Sequence, residues 1–288
     1  MAILNRRSSK IRPTQSVFFT RVILSATVFS TLIASLATAA IHANEISTTR
    51  ESTPPSASAS NVASSDLPLV FNAASTGGFE GQGRPASRSS GGSRGNCQTR
   101  LIALVPGEGT LSDDCSQPTY SSTALTTASM PMLWFYIPEQ DSTLQAELAL
   151  LNDNRQAIAL TDVSLPPASG VVGIPLGYEL EVDQSYRWIF SISPSTNPAR
   201  ILTVEGIVRR VVPDTELSQQ LEDSSERDRL VHLAAAGIWH DVLTELVMLR
   251  QQQPENMTII EDWQHFLSSV GLDVLADAPM VESGIMAQ

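Results

Sequence analysis

The nine residues Met130–Pro138 constrain the fold more than any other stretch of the sequence. They read Met-Pro-Met-Leu-Trp-Phe-Tyr-Ile-Pro, an almost unbroken apolar run with three consecutive aromatic residues. A strand with one solvated face alternates apolar and polar residues, whereas a strand buried on both faces does not. Because a proline removes a ladder donor, Pro131 and Pro138 fit only at the two ends. The run therefore predicts the central, fully buried strand of an all-β domain.

Other short apolar stretches, separated by turn residues, surround this run. Seven or so such strands are typical of an antiparallel β-sandwich. We therefore predict a mostly β chain, with an immunoglobulin-like antiparallel β-sandwich over residues 97–213. The other strand signals are Leu101–Val105, Leu144–Leu150, Ala157–Leu160, Val171–Ile174, Tyr186–Ile192 and Arg200–Val212.

After Pro213 the apolar residues no longer recur at every second position but about every 3.6 residues, which indicates helices. Ser225 begins a capping-box pattern, Gly237 and Gly271 each follow an apolar-periodic segment, and Pro254 ends another. We predict a small α-helical hairpin bundle over residues 214–288.

The N-terminus has the layout of a secretory signal peptide. Five basic residues precede an uncharged apolar stretch, Val22–Ala40, and small residues precede possible cuts after Ala39 and after Ala43. We predict a signal peptide over residues 1–43, cleaved after Ala43 or Ala39, and an exported protein in the periplasm or outside the cell. The alternative is an uncleaved anchor, since the stretch approaches the roughly 20 residues of a membrane span.

Residues 44–96 are rich in Ser, Thr, Ala, Pro and Gly, a composition typical of a disordered linker. Arg84, Arg88 and Arg94 make its end a basic island in an acidic chain. Two interpretations stay open at this stage. The arginines bind an anion, such as an acidic glycan or an acidic patch on a partner, or they are solvated and pair with the chain's own carboxylates.

Charge excludes one class of partner. All 30 acidic residues follow Ala43 but only 13 of the 18 basic ones do, so the cleaved chain has a net charge of −17. Such a chain is a poor binder of nucleic acid or anionic membranes. We predict no nucleic-acid partner, and membrane contact only through an uncleaved signal segment.

The chain has two cysteines, Cys97 and Cys115. In an oxidising compartment an isolated pair predicts a disulfide, with two free thiols as the alternative.

Six blocks occur in order along the chain: Gly91–Gly95, Leu101–Pro106, Leu133–Pro138, Ser185–Trp188, Val204–Arg210 and Ala236–Asp241. Together they resemble one known family, the cyanobacterial "domain of unknown function 928" family. The resemblance covers roughly Gly91–Pro279 and implies a cyanobacterial exported protein. It implies no reaction, because the family has none assigned.

The sequence contains no zincin, nucleophile-elbow or P-loop motif. We therefore predict no catalytic residue, metal or cofactor, and a non-enzymatic binding or scaffold module of the cell envelope. Its expected docking site is the exposed part of four residues: Ile238, Trp239, His240 and Asp241. The alternative is an envelope glycan-binding protein that uses Tyr186 or Trp188 as a platform, or a glycan hydrolase with a pair of carboxylates.

Overall fold

A computed structural model describes residues 68–72, 86–90, 100–108, 111, 120–121, 123–139, 143–281 and 285–286. Most of the strands come first along this part of the chain, the helices follow, and one two-residue strand comes after them. The strands are β1 (Ala86–Ser87), β2 (Ile102–Ala103), β3 (Gly107–Glu108), β4 (Tyr120–Ser121), β5 (Thr123–Thr126), β6 (Met132–Ile137), β7 (Leu144–Leu151), β8 (Ala157–Ser164), β9 (Gly170–Pro175), β10 (Ser185–Pro194), β11 (Leu202–Arg210) and β12 (Ile285–Met286). The helices are α1 (Thr215–Asp223), α2 (Glu226–Ala235), α3 (Trp239–Gln252) and α4 (Met257–Ser268). The fold is therefore mostly β with a C-terminal helical region, as predicted.

Two sheets carry the longer strands. One has the strand order β2-β6-β9, and the other has the order β12-β8-β7-β10-β11-β5. Three two-residue strands form a third sheet in the order β1-β4-β3. Between the described strands the pairing is antiparallel except at β5 and β11, where Thr123 is opposite Ile207 in a parallel pair. The prediction of an antiparallel arrangement is wrong at this edge. The two strands are far apart in sequence, so no hairpin forces them to run in opposite directions.

The aromatic run forms β6, and its two faces enter different cores. Leu133, Phe135 and Ile137 belong to a cluster shared with the larger sheet, which we call the sheet–sheet core. Trp134 and Tyr136 belong to a cluster shared with the helices, which we call the sheet–helix core. The prediction of a strand buried on both faces is confirmed.

The helix boundaries follow the predicted signals. The Ser225 side chain accepts a hydrogen bond from the Asp228 backbone N–H at the start of α2. Gly237 and Gly271 have φ values of 74° and 67°, a conformation that costs glycine little and other residues more. Helix α1 was not predicted separately, and it contains no fully buried residue.

Two pieces of the predicted linker belong to the fold. Leu69, Phe71 and Arg88 are buried, so the prediction of a disordered segment is wrong at residues 68–72 and 86–90. Residues 1–67, which contain the predicted signal peptide, lie outside the described residues. Within the described part of the chain, no helix is both long and apolar enough to cross a membrane.

Candidate functional site

A cleft of about 400 Å³ lies where the β5–β6 connection meets α2 and α3. We call it the junction cleft. Residues from the connection, β6 and β9 line one wall, and residues of α2 and α3 line the other. The first wall consists of Thr126–Ala128, Met130–Met132 and Pro175, and the second of Arg229, His240, Asp241, Thr244 and Glu245.

Asp241 fixes the two walls relative to each other. Its Oδ1 accepts a hydrogen bond from Thr126 Oγ1 at 2.6 Å. Its Oδ2 accepts one from the Thr127 backbone N–H at 3.1 Å, and a second from Thr127 Oγ1. Hydrogen bonds to a charged acceptor are stronger than neutral ones. Asp241 therefore holds the β5–β6 connection against the start of α3.

His240 is the unusual group of the cleft. The side chain is 1 % exposed, and neither ring nitrogen has a hydrogen-bond partner among the described residues. Burial lowers the pKa of His240 to about 3, because the charged imidazolium would lose its hydration. The neutral ring therefore has one free donor and one free acceptor, and an unpaired buried polar group is costly unless a partner arrives.

Besides Asp241, two residues of the helical wall, Arg229 and Glu245, are charged. Arg229 Nε donates to Glu245 Oε1 at 2.9 Å, and both side chains are partly exposed. Thr244 Oγ1, one turn from His240, accepts a hydrogen bond of 3.0 Å from the Trp134 indole N–H. The opposite wall is mainly apolar, since Met130, Pro131, Met132 and Pro175 line it beside Thr126 and Thr127, and its Met130 side chain is 61 % exposed. The cleft thus combines an adaptable apolar wall with a polar helical wall.

The predicted docking residues do not form an exposed surface. Ile238, Trp239 and His240 are 2 %, 0 % and 1 % exposed. The Trp239 indole N–H donates to the Leu104 carbonyl oxygen at 2.9 Å. The expectation of exposure is wrong for these three residues because they form the beginning of α3, which packs against the strands. His240 and Asp241 instead contribute to the junction cleft.

Arg88 does not act as a solvated linker arginine. Its side chain is 0 % exposed, and Nη1 donates to the carbonyl oxygens of Val105 and Val270 at 3.1 and 2.8 Å. Burial lowers the pKa of Arg88 to about 10. The anion-binding interpretation is therefore wrong for Arg88, whose guanidinium joins the strand region to the end of the helices. Arg84 and Arg94 lie outside the described residues, as do Cys97 and Cys115.

The aromatic platform of the glycan alternative is also buried. Trp188 is 0 % and Tyr186 is 6 % exposed, and both belong to the sheet–sheet core. A second hollow, of about 510 Å³, lies on the outer face of the larger sheet. Glu147 and Asp162 both line it and are direct cross-strand neighbours. Within the described residues, no three His, Cys, Asp or Glu side chains converge in a way that could hold a metal ion.

Sequence reasoning selected His240 and Asp241 but missed the other wall of the cleft. The hydrogen bonds of Asp241 reach Thr127 across 114 positions, and no spacing in the sequence relates two residues that far apart. The exposed Met130 belongs to the stretch that the sequence singled out, but the pattern placed it in a strand and not on the rim of a cleft.

The profile of one family, described as Domain of Unknown Function (DUF928), matches residues 86–280. The match covers more than half of the 288-residue chain, so the chain belongs to this family, and the resemblance read from the six sequence blocks is confirmed. No curated protein matches the chain.

Proposed function

We propose that this member of the DUF928 family is an exported, non-enzymatic binding module of the cell envelope. In this proposal the junction cleft holds a segment of an envelope protein. The N-terminal sequence supports export, because it has the layout of a signal peptide. The composition and shape of the cleft support the choice of a polypeptide ligand.

The observation that carries the proposal is the mixed lining of the cleft. Met130, Met132 and Arg229 line it together, and Met and Arg are enriched in the buried parts of protein interfaces. Methionine side chains are flexible and polarisable, so they adapt to different apolar partners. A polypeptide segment offers apolar side chains to this wall and backbone groups to the polar one.

His240 supports the same ligand class. Its free donor and free acceptor match an amide, which also carries one donor and one acceptor. Because the imidazole is neutral over the physiological pH range, a charged ligand gains little from it. Because Nδ1 and Nε2 face away from each other and are both buried, a backbone amide would satisfy one of them, and the cleft must open locally for the amide to reach the ring.

Site-specific photo-crosslinking tests the proposal. A photoreactive residue at position 130 should capture one envelope protein reproducibly in native cells. The matched control is position 257, because Met130 and Met257 are 61 % and 63 % exposed and Met257 begins α4, away from the cleft lining. With the purified partner, Met130→Glu should weaken binding at least tenfold and Met257→Glu should leave it unchanged. Equal capture at both positions, or equal affinity of both variants, contradicts the proposal.

The export part has its own measurement, the mass of the native N-terminus. A species beginning at Asn44 or Ala40 in the periplasm or the medium is expected. A full-length chain recovered only from the cytoplasm contradicts export, and it does so independently of the crosslinking result.

A second candidate function is binding or hydrolysis of an envelope glycan. The observation that favours it is the hollow on the outer face of the larger sheet, where Glu147 and Asp162 stand opposite each other. Directly opposed carboxylates repel each other and destabilise a sheet, and carboxylate pairs roughly 5 to 10 Å apart are the catalytic groups of glycoside hydrolases. Glycan release from purified envelopes that is lost in Glu147→Gln would favour this candidate over the first.

A further inference from the structure

A short piece of chain ahead of the family match is packed against the helices. Residues 68–72 read Pro-Leu-Val-Phe-Asn, and we call them the strap. Leu69 and Phe71 are 1 % and 5 % exposed, whereas Val70 between them is 54 % exposed. This alternation is that of an extended segment that buries every second side chain.

The apolar contacts of the strap are aromatic. The Phe71 ring meets Trp239 edge-on, with centroids 4.9 Å apart and an interplanar angle of 84°. It also meets Phe266 edge-on, at 6.1 Å. Trp239 and Phe266 stack on each other at 4.5 Å. Phe71 therefore completes a three-ring cluster whose other two members come from α3 and α4.

Polar contacts fix the direction of the strap. The Asn72 backbone N–H donates to the Ala234 carbonyl oxygen at 3.1 Å, and Asn72 Nδ2 donates to the Ala235 carbonyl oxygen at 3.3 Å. The Phe71 N–H donates to Ser269 Oγ at 3.1 Å. The Ala234 carbonyl oxygen also accepts a hydrogen bond of 3.1 Å from the Gly237 backbone N–H, so Asn72 adds a second donor at the C-terminal end of α2.

The surface and its occupant come from different parts of the sequence. The contacted residues of α2, α3 and α4 lie within the family match at 86–280, but the strap lies before it. Residues 73–85 connect the strap to β1, and the strap contributes the buried side chains and the hydrogen bonds described above. Its contacts are those of a bound peptide, with apolar anchors at alternate positions and N–H donors to carbonyl and hydroxyl oxygens of the helical region.

We propose that the surface formed by the ends of α2 and α4 and by Trp239 is a peptide-binding groove, and that the strap is its built-in occupant. The groove takes an extended segment of a partner protein with the chemistry Leu-x-Phe-Asn. Two apolar side chains enter at alternate positions, and the asparagine donates to the end of α2. The groove shares no lining residue with the junction cleft, so this proposal is independent of the function proposed above.

Tethering explains how the strap would regulate the groove. A segment joined by a short linker competes at an effective concentration in the millimolar range. A partner segment of equal intrinsic affinity therefore does not displace the strap from the groove at concentrations below the millimolar range. It binds only if it has more contacts than the strap or if the strap is cleaved from the chain.

Peptide binding in trans tests the proposal. A fluorescent peptide of residues 66–74 is titrated into the full wild-type chain and into the full chain with Leu69→Ala and Phe71→Ala, and fluorescence anisotropy is measured. We expect binding to the double variant and at least tenfold weaker binding to the wild-type chain. The same peptide with both anchors changed to Ala should not bind. A chain with Val70→Ala, which changes only the exposed side chain, should behave like the wild type.

Absence of binding to a double variant that keeps a native near-UV circular dichroism spectrum overturns the proposal, and so does equal binding to both chains. If the double variant does not fold, a protease site placed at Gly77–Gly78 of the wild-type chain replaces it. After cleavage, the labelled peptide should exchange with the strap; a strap that neither leaves nor exchanges overturns the proposal. A wild-type dimer that becomes a monomer in the double variant would identify a second copy as the occupant and overturn the assignment to a partner protein.

Discussion

The two cores place their tryptophans by different means. In the sheet–helix core, the indole N–H groups of Trp134, Trp239 and Trp263 donate to Thr244 Oγ1, Leu104 O and Ala276 O. In the sheet–sheet core, Trp188 Nε1 has no acceptor among the described residues. Trp188 instead lies over Gly206, its direct neighbour on the next strand. The first core is specified by indole hydrogen bonds to residues on other elements, and the second by shape.

The distribution of buried ionisable groups differs in the same way. His240 and Asp262 are buried on helices that contribute to the sheet–helix core. The Asp262 carboxylate is paired with Arg227 through two hydrogen bonds of 2.8 Å, but the His240 ring is not paired. Acid and altered hydrogen bonding should therefore affect the sheet–helix core first, and altered packing should affect the sheet–sheet core first.

The largest expected effect is the acid sensitivity that His240 causes. The folded-state pKa of about 3 lies below the usual 6.5, so between these values the unfolded chain binds a proton that the folded chain does not. Stability therefore falls as the pH falls through this window. Each tenfold change in proton affinity corresponds to about 1.4 kcal/mol, which gives a loss on the order of 4 kcal/mol. Urea unfolding from pH 7 to pH 3 should show that His240→Leu loses less stability than the wild type by this amount.

The control for this experiment is His265→Gln, since His265 is exposed on α4. Its stability should depend on pH as that of the wild type does. A His240→Leu chain whose stability falls as steeply as the wild type's would show that His240 is protonated in the folded state.

The next effect concerns the close contact of Trp188 with Gly206. A Cβ atom at Gly206 would lie 2.2 Å from Trp188 Cζ2, whereas one at Gly173 would lie 2.9 Å from the ring of Trp134. Overpacking a rigid core typically costs about 1–3 kcal/mol. We expect Gly206→Ala to cost about 3 kcal/mol and Gly173→Ala about 1 kcal/mol, measured as shifts of the urea midpoint at constant m value. Equal losses at the two glycines would contradict the view that shape matters more in the sheet–sheet core.

The smallest effect separates the two cores by one identical substitution. Trp188→Phe and Trp239→Phe remove the same atoms from side chains that are both 0 % exposed. Only Trp239→Phe also removes a hydrogen bond, the one to the Leu104 carbonyl oxygen. An unmade buried hydrogen bond costs about 1–3 kcal/mol, so Trp239→Phe should be less stable than Trp188→Phe by about 1–2 kcal/mol. Thermal and urea unfolding of the two variants in parallel measure this difference, and the reverse order would contradict the comparison.

Local sequence patterns predicted a strand or a helix end correctly wherever the same local residues cause that element to form or to end. The unbroken apolar run predicted β6 because a strand between two cores has no solvated face. Ser225 and Gly237 predicted the ends of α2 because capping involves only neighbouring residues. The prediction of a disordered linker is wrong at Leu69, Phe71 and Arg88. These buried residues are isolated within a polar, glycine-rich sequence, and the residues that they contact are far away along the chain.

The sequence by itself determined the mostly β character, the C-terminal helices, the family and the two buried faces of β6. These features depend on residue period, turn chemistry and composition, all of which are local. Only the tertiary structure decided that Trp239 and His240 are buried, that Asp241 holds Thr126 and Thr127, and that the strap completes an aromatic cluster. Each of these contacts joins residues far apart along the chain, and a folded backbone is required to bring them within hydrogen-bonding or van der Waals distance.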